Sequence, residues 1–149
     1  MNKRVAGILL FVAAFAVDRA TKSWALSALP QASSGAPLFS FGLRFNRGIS
    51  FSLFEGSVLM GWVAPLAGIA ILVLLTFRYQ RLRGTPAVAL LWAGTLGNAA
   101  DRLLYGHVID WFRIVLYVNM ADAFLCLGAL LLFVALLRPG DREGLENRT

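Results

Sequence analysis

One cysteine and one histidine are all that this chain of 149 residues offers of the two commonest soft metal ligands. Cys126 lies in the last apolar run with no second thiol, which excludes a disulfide within the chain and any metal centre built on thiolates. Its role is read as packing. A lone imidazole, His107, argues against a zinc site, and no cofactor is expected. Charge is also scarce: 15% of the residues are charged, where an ordinary soluble domain has roughly 25%. That scarcity argues against a solvated globular surface.

What the chain does have is apolar length. Hydrophobic residues make up 58% of it, and four segments reach or approach the roughly 20 residues that cross a bilayer: Val5–Leu26, Val58–Phe77, Pro86–Leu104 and Met120–Leu137. The composition predicts an all-α integral membrane protein with four transmembrane helices (residues 5–26, 58–77, 86–104 and 120–137), folded as one domain over 1–149. The net charge of +6 would suggest nucleic acid in a soluble protein. Here many basic residues sit at the ends of apolar segments, where anchoring explains them better, and no nucleic-acid partner is expected.

Lys3-Arg4 followed by Val5 to Val17 resembles a secretory signal, with Ala14-Phe15-Ala16 as a small-x-small site. Three more apolar segments follow, and Asp18 to Lys22 continue the first helix with chemistry of their own, so it is read as uncleaved. Lys3 and Arg4, then Arg78, Arg81 and Arg83, then Arg138 and Arg142 fall on one side, which puts both termini in the cytoplasm. Arg19, Lys22, Arg44, Arg47, Arg102 and Arg113 fall on the other, and are given a role at a site.

Between the first two segments the period changes. Phe39, Phe41, Leu43 and Phe45 alternate with Ser40, Gly42, Arg44 and Asn46; after Asn46-Arg47-Gly48, Ile49, Phe51 and Leu53 alternate with Ser50 and Ser52. Period two around a Gly-containing break predicts a small extracytoplasmic β-hairpin or β-cradle over about residues 38–54, lying on the bilayer surface with its aromatics on one face. The second helix reads as scaffold. The polar tail, residues 139–149, has no period and is expected to be disordered.

The ionisable residues inside apolar segments are functional suspects by default. Asp18 and Lys22 stand four apart on one helix face, either as part of a site or as a snorkelling pair that ends the helix at the interface. Gly94, Asn98 and Asp101 form one stripe of the third helix, with Arg102 beside it; Gly94 also fits a close helix contact. Tyr105 to Val118 is an aromatic segment of headgroup character with Asp110 inside it. Asn119 and Asp122 open the fourth helix on one face, as a cap and a first-turn acid would.

The four-helix topology brings these residues to the outer membrane level. Two carboxylates sharing an apolar site cannot both ionise, so the pair holds a proton, and can activate a water with one member while protonating a leaving group with the other. Asp101 has Arg102 next in the chain, and Asp18 has Lys22 one turn on. Asp122 has no local cation, and Asp110 only Arg113, so these two are the candidate acid pair; they would titrate as a unit, with a helix N-terminus favouring the ionised form at Asp122 and the holder of the proton left open.

Five blocks then carry a resemblance. They are Asp18-Arg19-Ala20-Thr21-Lys22, Asn46-Arg47-Gly48-Ile49-Ser50-Phe51, Gly94 to Arg102, Val108-Ile109-Asp110-Trp111, and Asn119-Met120-Ala121-Asp122-Ala123. In this order they resemble the blocks of lipoprotein signal peptidase, signal peptidase II, from Asp18 to about Gly128. The departures are Trp111 where phenylalanine is common and Ala123 where serine is common; they bear on substrate fit. The resemblance implies an aspartic endopeptidase of the bacterial cytoplasmic (inner) membrane that cuts diacylglyceryl-modified prolipoproteins just before the lipidated cysteine. Asp110 and Asp122 would be its catalytic dyad, and its partners would be the lipid-modified substrates and membrane lipids, with the chain a monomer. Asn46, Gly48, Asn98, Arg102 and Asn119 would shape or brace the site; Asp18, Lys22, Phe51, Gly94, Asp101, Val108 and Ala121 join them as matched block positions.

Four other readings compete. A proton-coupled transporter would use the same acids, but nearer the midplane and in repeated halves, and no repeat is visible. A serine-lysine peptidase would use Ser50 or Ser52 with Lys22. A Mg²⁺-dependent phosphotransferase would use the carboxylates as ligands. A non-enzymatic scaffold would use its acids only to brace helices against Arg102 and Lys22.

Overall fold

The computed structural model describes residues 2–33, 35–47 and 58–137. All four apolar segments are helical: α1 is Lys3–Ala28, α2 Val58–Arg78, α3 Pro86–Tyr105 and α4 Met120–Leu137. A short strand, β1 (Ser40–Asn46), separates α1 from α2, while β2 (Val108–Arg113) and β3 (Tyr117–Val118) separate α3 from α4. A single 3₁₀ turn, Gln80–Leu82, links α2 to α3.

Local chemistry sets the helix ends. Asn2 caps α1 by accepting the Arg4 N–H at 3.0 Å. Thr85 caps α3 by accepting the Val88 N–H, with Pro86 in the first turn, where its missing N–H costs nothing. Gly106 ends α3 in the left-handed region (φ +74) and returns its N–H to the Arg102 carbonyl.

Helix α3 is central. It packs most extensively on α4, and also on α1 and α2. Small residues make the α3–α4 approach possible: a β-carbon on Gly94 would stand 2.5 Å from the Ala121 carbonyl oxygen. Ala14, Leu90 and Ala93 form one buried cluster, closed by Leu10, Phe11, Phe15 and Phe124. Ala25, Leu43 and Ile109 form a second, where the C-terminal part of α1 meets β1 and β2.

Burial is inverted relative to a soluble domain. The largest fully buried side chains are Lys22, Ile109, Asp18, Asp101 and Asp110, whereas ionisable groups are normally the last to be buried. Ile8, Leu9 and Val12 of α1, Leu66, Ile71 and Leu74 of α2, and Leu130 and Phe133 of α4 face outward. Apolar faces this continuous call for an apolar surround. Among the described residues one helix, Met120–Leu137, is long and apolar enough to cross a membrane by length and composition.

β1 forms the first arm of the hairpin expected over residues 38–54, within a small three-stranded sheet. β1 pairs antiparallel with β2, setting Arg44 opposite Asp110 and Asn46 opposite Val108, and β2 pairs in turn with β3. Residues 49–53, expected as the second arm, lie outside the described residues, as does the tail. The register of β1 slips between Phe41 and Arg44, a bulge that lets both Gly42 and Leu43 turn inward. Leu43 therefore joins the core while Phe41 and Phe45 stay outside, instead of all sharing one face. On its other edge β1 is tied to the end of α1, with the Leu43 N–H donating to the Pro30 carbonyl at 2.9 Å.

Candidate active site

Strand β2 sets Asp110 opposite Arg44 of β1, with 2% of its surface exposed. Both carboxylate oxygens accept amides: Asn119 Nδ2 donates to Oδ1 at 2.6 Å, and Asn46 Nδ2 donates to Oδ2 at 3.2 Å. Burial, and then the nearby negative charge of Asp122, push this carboxyl up from 3.8 to about 7, against the pull of the two amides and of Lys22. At neutral pH the group therefore holds a proton far more readily than an ordinary aspartate does.

Asp122 is fixed by the start of α4. Asn119 precedes the helix and accepts the Asp122 N–H on its Oδ1 at 3.1 Å, while Asp122 Oδ2 accepts the Asn119 N–H at 3.1 Å. This reciprocal capping box satisfies two donors that the helix cannot. The remaining oxygen, Oδ1, accepts Asn98 Nδ2 at 2.9 Å. Asn119 thus holds both acids, Asp110 through its side chain and Asp122 through its backbone.

A layer of charge lies alongside. Lys22 Nζ stands 3.1 Å from Asp18 Oδ2 and 2.7 Å from Asp101 Oδ2. Arg19 Nη2 stands 2.7 Å from each of Asp18 Oδ2 and Asp101 Oδ1. Both acids are wholly buried, and each also accepts a backbone N–H: Asp18 from Ala121 at 2.9 Å, Asp101 from Ile109 at 3.1 Å. Two acids and two bases cancel, as buried charge requires. Asp18 thereby ties α1 to the start of α4, and Asp101 ties α3 to β2 one residue before Asp110. Lys22 also donates to Asn98 Oδ1 at 3.1 Å, which leaves the Asn98 amide to face Asp122.

The structure corrects one sequence expectation here. Adjacency in the chain pairs Asp101 with Arg102, but on a helix adjacent residues point about 100° apart. Asp101 instead turns toward α1, to Arg19 and Lys22, which the sequence could not place. Arg102 is buried, donates to the Asn98 carbonyl at 3.3 Å and lies within electrostatic reach of Asp110 and Asp122.

Of the other sequence candidates, Val108 is buried where it pairs with Asn46, and Ala121 is buried against Asp18 and Gly94. Gly94 serves the α3–α4 contact. Gly48 and Phe51 fall outside the described residues. Gly97 escaped the sequence reading: a β-carbon there would stand 2.7 Å from Asp18 Oδ2, and its carbonyl accepts from Arg19. Its spacing of three from Gly94 was the available signal. At the end of α1 and on β1 and β2, Trp24, Phe41 and Trp111 form an aromatic platform, Phe41 stacked on Trp111 at 6.0 Å and Trp24 edge-on to Trp111 at 5.7 Å.

Known proteins share this architecture. A family profile described as signal peptidase (SPase) II matches residues 10–138. The lipoprotein signal peptidase of Clostridium novyi (strain NT) is 31% identical over 89% of this chain and 98% of its own; that of Paraburkholderia phymatum is 36% identical over 89% and 86%. A bacterial membrane enzyme solved by the in meso method at 2.3 Å resolution superposes with a TM-score of 0.72, at 24% identity over 96% of this chain and 91% of the other. A second, solved by the same method at 1.9 Å, gives 0.70 at 25% identity over 89% and 93%. The profile covers most of the chain, and the chain therefore belongs to the signal peptidase II family.

Proposed function

We propose that this chain is an intramembrane aspartyl endopeptidase whose catalytic pair is Asp110 and Asp122, cutting diacylglyceryl-modified prolipoproteins immediately before the lipidated cysteine. Family membership makes it a membrane protease of lipoprotein processing. The observation that carries the aspartyl reading is the contrast between two sets of acids. Asp18 and Asp101 are locked into ion pairs with Arg19 and Lys22, whereas Asp110 and Asp122 are held by the neutral amides of Asn46, Asn98 and Asn119. Neutral donors position a carboxyl without fixing its charge, so this pair is free to exchange a proton.

In the proposed reaction Asp122 is the ionised member, favoured by the positive end of the α4 dipole and by the Asn119 N–H and Asn98 amide that it accepts. It removes a proton from a water as that water attacks the scissile carbonyl carbon. Protonated Asp110 donates to the carbonyl oxygen, giving a neutral gem-diol. The diol then returns a proton to Asp110 as its C=O re-forms, the C–N bond breaks and the leaving amine takes the proton held on Asp122, restoring one ionised and one protonated acid.

All four helices are proposed to span the membrane, with both termini cytoplasmic and the acids near the outer leaflet. The outward-facing leucines, isoleucines and phenylalanines of α1, α2 and α4 support this placement, as do the basic residues at the opposite ends of the helices. The aromatic platform would cover the peptide while its acyl chains remain in lipid.

The experiment is cleavage of a synthetic diacylglyceryl-cysteine peptide by purified protein in detergent, with products read by mass spectrometry. A product beginning at the lipidated cysteine, made equally well by Ser50→Ala and Ser52→Ala, supports the proposal. Cutting at another bond, or loss of activity in either serine variant, contradicts it.

A further inference from the structure

At the end of the bundle away from the acids, α1, α2, α3 and the loop before α3 line an open, largely apolar cavity of about 270 Å³. It lies near Gly7, eleven residues before Asp18 on α1, so some 16 Å separate it from the catalytic level. Ile8, Val88, Ala89 and Trp92 supply apolar wall, and Arg4 and Arg83 border the same space.

The cavity is built by a tight backbone contact. Gly84 has φ +76, and a β-carbon on it would stand 2.6 Å from the Lys3 carbonyl oxygen; one on Gly7 would stand 2.6 Å from the Gly84 α-carbon. Only a chain without side chains at both positions lets the loop before α3 close onto the first turns of α1. That closure sets the Arg4 backbone against Gly84, the residue after Arg83, so both arginines border the cavity. Arg83 is held in place: its Nε donates to the Thr76 carbonyl at 2.7 Å, and its guanidinium lies over the Phe77 ring at 5.5 Å. Neither arginine is in an ion pair with an acid among the described residues.

We propose that this cavity binds one acidic phospholipid of the leaflet opposite the active site, with its phosphate between Arg4 and Arg83 and the start of one acyl chain along Ile8, Val88 and Trp92. Two guanidinium groups offer a planar, multidentate fit to a phosphate, and basic pockets between helices at the cytoplasmic face suit anionic headgroups. The apolar wall selects a lipid over a free anion, because inorganic phosphate would leave it uncovered. From the proposed function this inference takes only the placement of the helices in a bilayer.

The test is native mass spectrometry of the full chain in detergent, titrated with phosphatidylglycerol or with phosphatidylcholine of the same acyl chains. One phosphatidylglycerol should be retained, with at least tenfold preference over phosphatidylcholine. Arg4→Ala, whose side chain is exposed and outside the core, should lower retention about tenfold, and Arg83→Ala further. Ile8→Trp, which fills the cavity and keeps both arginines, should lower it as much.

Arg78→Ala is the control, removing the same charge from the same end of the bundle without touching the cavity. Equal losses in Arg78→Ala and Arg4→Ala would reduce the effect to diffuse attraction and overturn the site. Retention unchanged in Ile8→Trp, or displacement of the lipid by millimolar inorganic phosphate, would overturn the lipid as occupant. A tenfold gain on neutralising Asp141, Glu143 and Glu146 together would assign the cavity to the chain's own tail instead. Peptide cleavage by Arg4→Ala stays at the wild-type level if the catalytic reading holds, so failure of one proposal is visible apart from the other.

Discussion

Asn119 donates its side-chain amide to Asp110 at 2.6 Å and its backbone N–H to Asp122 at 3.1 Å, so a single residue holds both acids. Its replacement by alanine breaks both the capping box and the amide contact. The loss of the cap costs about 1 kcal/mol of stability. Cleavage should fall much further, by roughly 100-fold or more, because a misplaced acid costs rate out of proportion to stability. Thermal unfolding measured beside the cleavage rate separates the two effects.

The proton on the acid pair sets the pH dependence. Asp110 is raised from 3.8 to about 7, so the protonated form needed for catalysis is lost as pH climbs through about 7, and activity should fall on the alkaline side. Asn46 and Asn119 both pull this carboxyl downward. Asn46→Ala should therefore move the alkaline limb of the cleavage profile to higher pH, as read from rate against pH for the two proteins.

Stability should follow the same group. A carboxyl raised on folding binds protons more readily in the folded chain, so folding is favoured at low pH and the advantage declines between 3.8 and about 7. Melting temperature should drop as pH rises across that window, and Asp110→Asn should flatten the drop. An equally steep decline in the variant would place its origin in another group.

Lys22 balances two wholly buried acids. Lys22→Met leaves Asp18 and Asp101 with Arg19 alone, a loss of about 3–5 kcal/mol for a broken buried pair. The double variant Lys22→Met/Asp101→Asn should recover part of that loss, since it removes the uncompensated charge. A double-mutant cycle in chemical denaturation measures the coupling; additive losses would mean that the two residues do not share a network.

Packing gives a further contrast. Gly94→Ala would put a methyl 2.5 Å from the Ala121 backbone oxygen and 2.7 Å from Leu125 Cγ, so α3 and α4 must separate at a cost of about 1–3 kcal/mol. Because Ala121 leads directly into Asp122, activity should fall with stability. Gly106→Ala meets nothing within 4 Å and pays only the left-handed backbone penalty of about 1 kcal/mol, with cleavage retained.

The helices were legible in the sequence because lipid-facing and helix-facing residues are both apolar over whole spans; α4 begins at Met120 and ends at Leu137 as the hydropathy alone indicates. The short-range polar relations were legible too. Asp18 meets Lys22 and Asn119 meets Asp122 because positions three or four apart on a helix share a face. Relations between elements were not. That β1 pairs with a strand more than sixty residues away, and that Asp101 prefers Arg19 to its own neighbour, depend on how helices rotate against one another. The bulge that turns Leu43 inward likewise answers to its tether to Pro30, which no alternation pattern records.

The most direct measurement is cleavage of the diacylglyceryl-cysteine peptide by Asp110→Asn and by Asp122→Asn, each beside its thermal unfolding curve. Both variants should unfold within a few degrees of wild type and cleave at least 1,000-fold more slowly, roughly the scale on which loss of a reacting group is felt. A folded variant of either residue that keeps a tenth or more of the wild-type rate would contradict the shared-proton account.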